Sequence, residues 1–183
     1  MIGPAAGLRT RSNRVCLDGA RAKARALVLV AIATAACGPP PLANTFPSSD
    51  ALARAVLDAV ERRDEPALRN LGLSEHEFRA HVWPSLPAAR PERNLPFTYV
   101  WGDLKQKSDA SLAVTLDGHG GRHYELNAVK FAAPPTDYAA FRVHRDPTFV
   151  VRDETTEMRE ARLTGSLIEK DGRWKVFSYV IDD

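Results

Sequence analysis

Lys170-Asp171-Gly172-Arg173-Trp174-Lys175-Val176-Phe177-Ser178-Tyr179-Val180-Ile181 lies just before the end of the chain, and its reading decides the fold. Asp171-Gly172 is the dipeptide that suits a two-residue type I′ turn, where both positions need positive φ. One strand therefore arrives over residues 158–169 and another departs over 174–181. In the departing strand Trp174, Val176 and Val180 alternate with Phe177, Tyr179 and Ile181. Successive side chains of a strand point to opposite faces, so both faces of this one are apolar. Such a strand is either buried under long neighbours and the chain's own N-terminal segment, or covered by a second molecule. The expectation is self-association or partner docking through Phe177 and Tyr179, with internal burial as the alternative.

Strand periodicity extends upstream of the hairpin. Residues 123–131 and 138–151 read as two further strands, the second kinked at Asp146-Pro147, and residues 153–156 supply a turn. Before Arg122 the period is helical. Ser48 or Ser49 caps a helix whose stripe is Leu52, Val56, Ala59 and Val60. A short helix follows, with Pro66 near its start, Leu68 and Leu71 facing inward and Gly72 at its end. Ser74-Glu75-His76-Glu77 is a capping box opening a third helix through Phe78 and Val82. Phe97, Tyr99 and Trp101 alternate as in a short strand, and Leu104, Leu112 and Leu116 suggest a fourth helix closed by Gly118, Gly120 and Gly121. Helices first and a long antiparallel meander last predict an α+β fold, with N-terminal helices packed on a curved antiparallel sheet of about four to five strands.

The other end of the chain reads as an address. Six basic residues, from Arg9 to Arg25, precede an apolar run at residues 26–36 with one acid, Asp18, among them. As a helix that run spans about 16 Å, whereas a bilayer core needs about 20 apolar residues, so it is the core of a signal peptide. Thr34-Ala35-Ala36-Cys37 closes it and resembles a bacterial lipoprotein signal, with threonine where such signals usually carry leucine. The resemblance implies a diacylglyceryl group on the Cys37 thiol, cleavage before Cys37 and acylation of the new amine. An ordinary secretory peptide cut after Ala36, or an uncleaved short anchor, is the alternative. The expected organisation is a signal at 1–36, a lipidated cysteine and Pro-rich tether at 37–49, and a cone-like α+β domain at 50–183. Gly38-Pro39-Pro40-Pro41 and Pro47 suggest an extended tether of about 3 Å per residue that lifts the domain about 30 Å off the membrane.

Cleavage would change the charge balance. Residues 1–36 hold six of the 25 Lys and Arg and one of the 23 Asp and Glu, so the remainder carries 19 and 22, a net charge of −3. Acids and bases alternate finely, as in Glu61-Arg62-Arg63-Asp64-Glu65, and no basic stripe remains to bind phosphates. This argues against a nucleic-acid partner. Cys16 leaves with the signal and Cys37 is the anchor, which leaves no thiol for a disulfide, a zinc site or a nucleophile.

From residue 50 onward the chain resembles the nuclear-transport-factor-like and ketosteroid-isomerase-like superfamily. The features that carry the likeness are Arg63-Asp64-Glu65-Pro66-Ala67-Leu68 between two helices, Leu73-Ser74 before Phe78, and the terminal hairpin. The resemblance implies a curved sheet wrapping helices into a cone. It implies no single activity, because that fold hosts enzymes, binders and dimerisation modules.

Four groups could carry chemistry. Asp117-Gly118-His119-Gly120-Gly121-Arg122-His123 has a His-x-x-x-His spacing, but its glycines break the helix that would align both rings, so a turn with exposed histidines is expected. His76 and His81 lie five apart, on different sides of a helix. Tyr99 and Trp101, with Trp83 and Phe97, suit a pocket mouth or an interface, or simply a small core. Tyr138, Arg142 and His144 share one parity and could line the cone, or form the solvated face of an edge strand. The candidate ligand or partner residues are thus Tyr99, Trp101, Tyr138, Arg142, His144, Phe177 and Tyr179, with Cys37 for lipid and no catalytic residue, metal or cofactor. The expected function is a lipid-anchored cell-envelope protein that binds a partner protein, a second copy or a small apolar ligand without catalysis. The alternative is an envelope hydrolase or isomerase using His123 or His144 with a carboxylate.

Overall fold

Three short N-terminal helices lead into one long helix and then into seven strands in the computed structural model, which describes residues 39–181. The apolar run at 26–36 and Cys37 lie outside the described residues.

Helix α1, Ser49–Glu61, starts at Ser48, whose Oγ accepts from Ala51 N at 3.1 Å, and buries Leu52, Val56 and Val60 along one stripe. Each such side chain contributes about 1.5–3 kcal/mol relative to exposure. Helix α2, Glu65–Leu71, is capped by Asp64, whose Oδ1 accepts from Ala67 N at 2.9 Å, and turns Leu68 and Leu71 inward. Helix α3, Glu75–Glu77, carries the capping box that the sequence shows, and continues as a π-helical turn over Phe78–Val82. Residues 83–96 form three short 3-10 turns, each containing a proline in its first turn.

Helix α4, Phe97–His119, corrects the expectation of a strand at Phe97, Tyr99 and Trp101. Phe97, Val100, Trp101 and Leu104 all pack into one cluster, while Tyr99 is 65% exposed. That spacing of three and four is helical; a five-residue aromatic alternation is too short to distinguish it from a strand.

The strands are β1 Glu125–Lys130, β2 Thr136–Tyr138, β3 Phe141–Arg145, β4 Thr148–Arg152, β5 Met158–Ala161, β6 Ser166–Lys170 and β7 Arg173–Ser178. They pair antiparallel in two sheets, β1-β4-β5 and β2-β3-β6-β7. The long strands expected at 138–151 and 158–169 are each broken in the middle, so the meander bends from one sheet into the other. At the first break Asp146 adopts φ +48° before Pro147, which has no amide hydrogen to donate. At the second, Gly165 lies so close to the chain's end that a Cβ would sit 1.6 Å from Val180 O. The breaks are tied together, Asp146 N donating to Gly165 O at 2.9 Å and Gly165 N to Ser178 O at 3.0 Å. The result is an α+β fold with N-terminal helices on a curved antiparallel sheet.

The doubly apolar final strand is buried on both faces by its own chain. On one face Val176 and Leu167 meet Leu52, Val56 and Leu68. On the other, Phe177, Ile168 and Val143 meet Phe78, Trp101 and Leu73. The free edge of β7 is bridged by Phe46 and Gly72. Part of the proline-rich segment, expected as an extended tether, is instead fastened to the domain. Residues 40–46 run along the domain, with Phe46 and Trp174 exchanging backbone hydrogen bonds of 2.9 and 2.8 Å.

Candidate functional site

The hairpin ends of the larger sheet gather the most chemistry. In an antiparallel pair, directly opposed residues share a face. Arg142 opposes Asp137 on β2 and Glu169 on β6, and Glu169 opposes Trp174 on β7. These four form a cross-strand row. One step along, His144 lies with its ring 4.4 Å from Trp174 and 4.9 Å from Phe131, centroid to centroid. Its Nε2 is 3.0 Å from Glu169 Oε2, which also receives Arg142 Nη1 at 3.5 Å. Arg142 Nε reaches Asp137 Oδ1 at 3.2 Å. His144 is buried while Arg142 is exposed, so the imidazole stands behind an outer layer of charge. A groove of about 410 Å³ opens beside that layer, lined by Asp137, Tyr138, Arg142, Glu169 and Lys170 among others. Lys170 Nζ donates to Ala140 O at 3.3 Å across it.

Of the seven candidates, the structure brings Tyr138, Arg142 and His144 to this region. The expected shared face is corrected: Tyr138 is on β2, opposite Phe141, and stacks on it at 4.7 Å. The turn at Ala139-Ala140 puts Tyr138 on the Phe141 side of the sheet, away from His144. The other four do not join them. Tyr99 faces solvent on α4, and Trp101 packs on Phe78 at 5.2 Å. Phe177 meets Phe78 edge-on at 6.1 Å. Tyr179 is only 4% exposed and its hydroxyl donates to Leu68 O at 2.6 Å, so it is a core residue rather than an interface residue. Burial pushes its phenol pKa well up. The groups that sequence reasoning missed are Glu169, Asp137, Phe131 and Trp174. The hairpin register could have placed Glu169 opposite Trp174, but the β3–β6 pairing is non-local and carries no short-range signal.

The glycine-rich turn separates its histidines. His119 Nδ1 lies 3.1 Å from the Tyr124 hydroxyl, and burial, then Arg122, lowers its pKa. His123 Nδ1 meets Glu61 Oε2 at 2.9 Å, and that hydrogen bond raises its pKa. Among the described residues no group of three or more His, Cys, Asp or Glu is placed to hold a metal ion.

A second polar centre lies under the N-terminal segment. Lys175 Nζ donates to Glu77 Oε1 and Oε2 at 2.9 and 3.0 Å and to Ala43 O at 2.8 Å. Glu77 also accepts from Ala43 N and from Ser74 N, both at 2.8 Å. Every strong acceptor direction of the carboxylate is thus occupied, which favours a fixed structural role over proton transfer.

No protein-family model matches the chain, and neither a curated protein nor a solved structure matches it.

Proposed function

We propose that this chain is a lipid-anchored protein of the bacterial cell envelope whose cone-like α+β domain binds a partner protein and performs no catalysis. Its signal-like N-terminus supports the anchor at Cys37. The observation that carries the binding reading is the filled sheet. Leu52, Val56, Leu68 and Tyr179 occupy one face, and Phe78, Trp101 and Phe177 the other. That packing argues against a small apolar ligand inside the cone, which needs an enclosed apolar cavity. The groove beside Arg142, Glu169 and Lys170 lies outside and carries both signs of charge, which suits the polar contacts of a protein partner.

Two experiments test this. Cys37→Ser abolishes palmitate incorporation and detergent partitioning if the anchor is real; equal labelling of the variant removes it. A photo-crosslinking amino acid at Ala140, in the groove, traps a discrete adduct that the same probe at exposed Val114 does not. Arg142→Glu abolishes that adduct, and an adduct at twice the chain's mass identifies a second copy. Identical adducts from both positions, or an adduct indifferent to Arg142→Glu, refute binding in the groove.

A second reading is favoured by the 3.0 Å His144–Glu169 contact, namely an envelope hydrolase or isomerase that uses this pair for acid–base work. Turnover of an activated ester that disappears in a folded His144→Gln variant would establish it.

A further inference from the structure

The N-terminal segment is fastened to the domain almost from its first described residue. His81 Nε2 donates to Pro40 O at 2.8 Å. Ala43 is held through both of its backbone polar groups, its N–H donating to Glu77 and its carbonyl accepting from Lys175. Arg173 donates to Thr45 Oγ1 at 3.0 Å and to Thr45 O at 2.7 Å. Leu42 packs with the cluster around Phe78, and Phe46 with the cluster around Val176. Five of the seven residues from 40 to 46 therefore have specific partners on the domain.

Cys37 precedes Pro40 by three residues. Three extended residues reach about 11 Å at most. The headgroup layer of one leaflet is about 5–8 Å deep, the difference between the full bilayer and its hydrocarbon core shared between two sides. A lipid on Cys37 therefore leaves the first fastened residue within a few ångströms of the headgroups, where a free tether would have allowed about 30 Å.

We infer that the face of the domain around Pro40 and His76 is a membrane-apposed surface that rests on lipid headgroups. This rests on the lipid-anchor reading above. The face fits a headgroup layer and not the hydrocarbon beneath it. A groove of about 350 Å³ there is lined by Pro40, Pro41, Arg69, Asn70 and His76 among others, a mixed surface of prolines and polar side chains with no large aliphatic or aromatic wedge to enter hydrocarbon. The turn between β4 and β5 lies toward the far end of α1, because Glu61 at the helix C-terminus holds His123, whose N–H donates to Glu154. Helix α1 has 13 residues and is about 20 Å long, and the fastened segment leads into its N-terminus at Ser48, so that turn and the segment stand at opposite ends of the helix.

The full chain, processed in cells, tests this in phosphatidylethanolamine–phosphatidylglycerol vesicles doped with a headgroup-nitroxide phosphatidylcholine. Lipidation consumes Cys37 and cleavage removes Cys16, so His76→Cys and Thr155→Cys each introduce one free thiol for a fluorophore. The fluorophore at His76 should be quenched about threefold more than that at Thr155, in keeping with a headgroup layer much thinner than the domain. Inserting about ten Gly/Ser residues between Gly38 and Pro39 adds roughly 17 Å of reach and should erase the difference. Equal quenching at both positions in protein whose lipid is verified by mass overturns the inference while leaving the anchor intact. Protein that carries no lipid by mass overturns the anchor, and the inference with it.

Discussion

Lys175 and Glu77 form a buried ion pair, with side-chain exposures of 2% and 9%, that joins β7 to α3 and encloses the backbone of Ala43. Removing one member leaves the other charged and without its partner. Lys175→Met should therefore cost about 3–5 kcal/mol in urea unfolding. Glu77→Gln keeps acceptor and shape, and the Glu77→Gln/Lys175→Met double variant should lose less than the sum of the two single losses, because the sites are directly coupled. Additive losses would mean that the pair contributes nothing as a pair.

The same carboxylate makes a pH prediction. Burial pushes the Glu77 pKa up, but hydrogen bonds from Ser74, Lys175 and Ala43 outweigh it and hold the value below the ordinary 4.5. A pKa lower in the folded than in the unfolded state gives stability that is present above the unfolded value and lost as pH falls through the folded one. The stability advantage of wild type over Glu77→Gln should therefore be full above about pH 5 and shrink steadily below pH 4.5. A difference that stays constant from pH 6 down to about pH 3 contradicts this.

At the terminal hairpin Asp171 has φ +52° and Gly172 φ +70°. A Cβ at Gly172 would meet nothing within 4 Å, so the cost of a side chain there is conformational alone. Gly172→Val should lose about 1–2 kcal/mol, and Gly172→Asn, which tolerates the left-handed region, distinctly less. Equal melting temperatures for the two variants would speak against the turn.

Gly165 is intolerant for a different reason. Any Cβ there collides with the backbone of Val180, and the chain cannot retreat without losing the bond from Gly165 N to Ser178 O. Gly165→Ala should cost about 3 kcal/mol or more, measured by thermal unfolding, despite being the smallest substitution available. A loss below about 1 kcal/mol would show that the C-terminal segment can move aside.

Tyr179 distinguishes a core from an interface. Tyr179→Phe leaves the Leu68 carbonyl without its hydroxyl donor and should cost about 1–2 kcal/mol. Tyr179→Glu puts a charge into the same buried place and should prevent folding rather than change oligomeric state. A folded, fully stable Tyr179→Glu protein would return this residue to the surface.

Local chemistry carried much of the fold into the sequence. The Ser74–Glu77 box and the turn at Asp171-Gly172 are each decided within about four residues and stand where the residues placed them; of the two serines that could cap the first helix Ser48 does so, and the expected kink at Asp146-Pro147 is a full break between two strands. Apolar periodicity likewise separated a helical first half from a stranded second half. Tertiary structure decided what depends on partners distant in sequence. Glu77 is complete as a capping residue, and nothing within its own helix announces that Lys175, 98 residues later, will bury against it. Glu169 joins Arg142 and His144 only because β6 pairs with β3 in one particular register. Phe97-Thr98-Tyr99-Val100-Trp101 fits both a strand and a helix, and the contacts of Val100 and Trp101 with Phe78 and its neighbours resolve it. The proline-rich segment reads as a tether by composition, because its hydrogen bonds use chiefly backbone groups, which look the same in every sequence, and only Leu42 and Phe46 add apolar side chains to the fastening. Residue types determined most of the elements and their order; contacts between remote residues determined that residues 97–101 joined a helix, which faces closed, which polar groups met and how residues 40–46 are fastened.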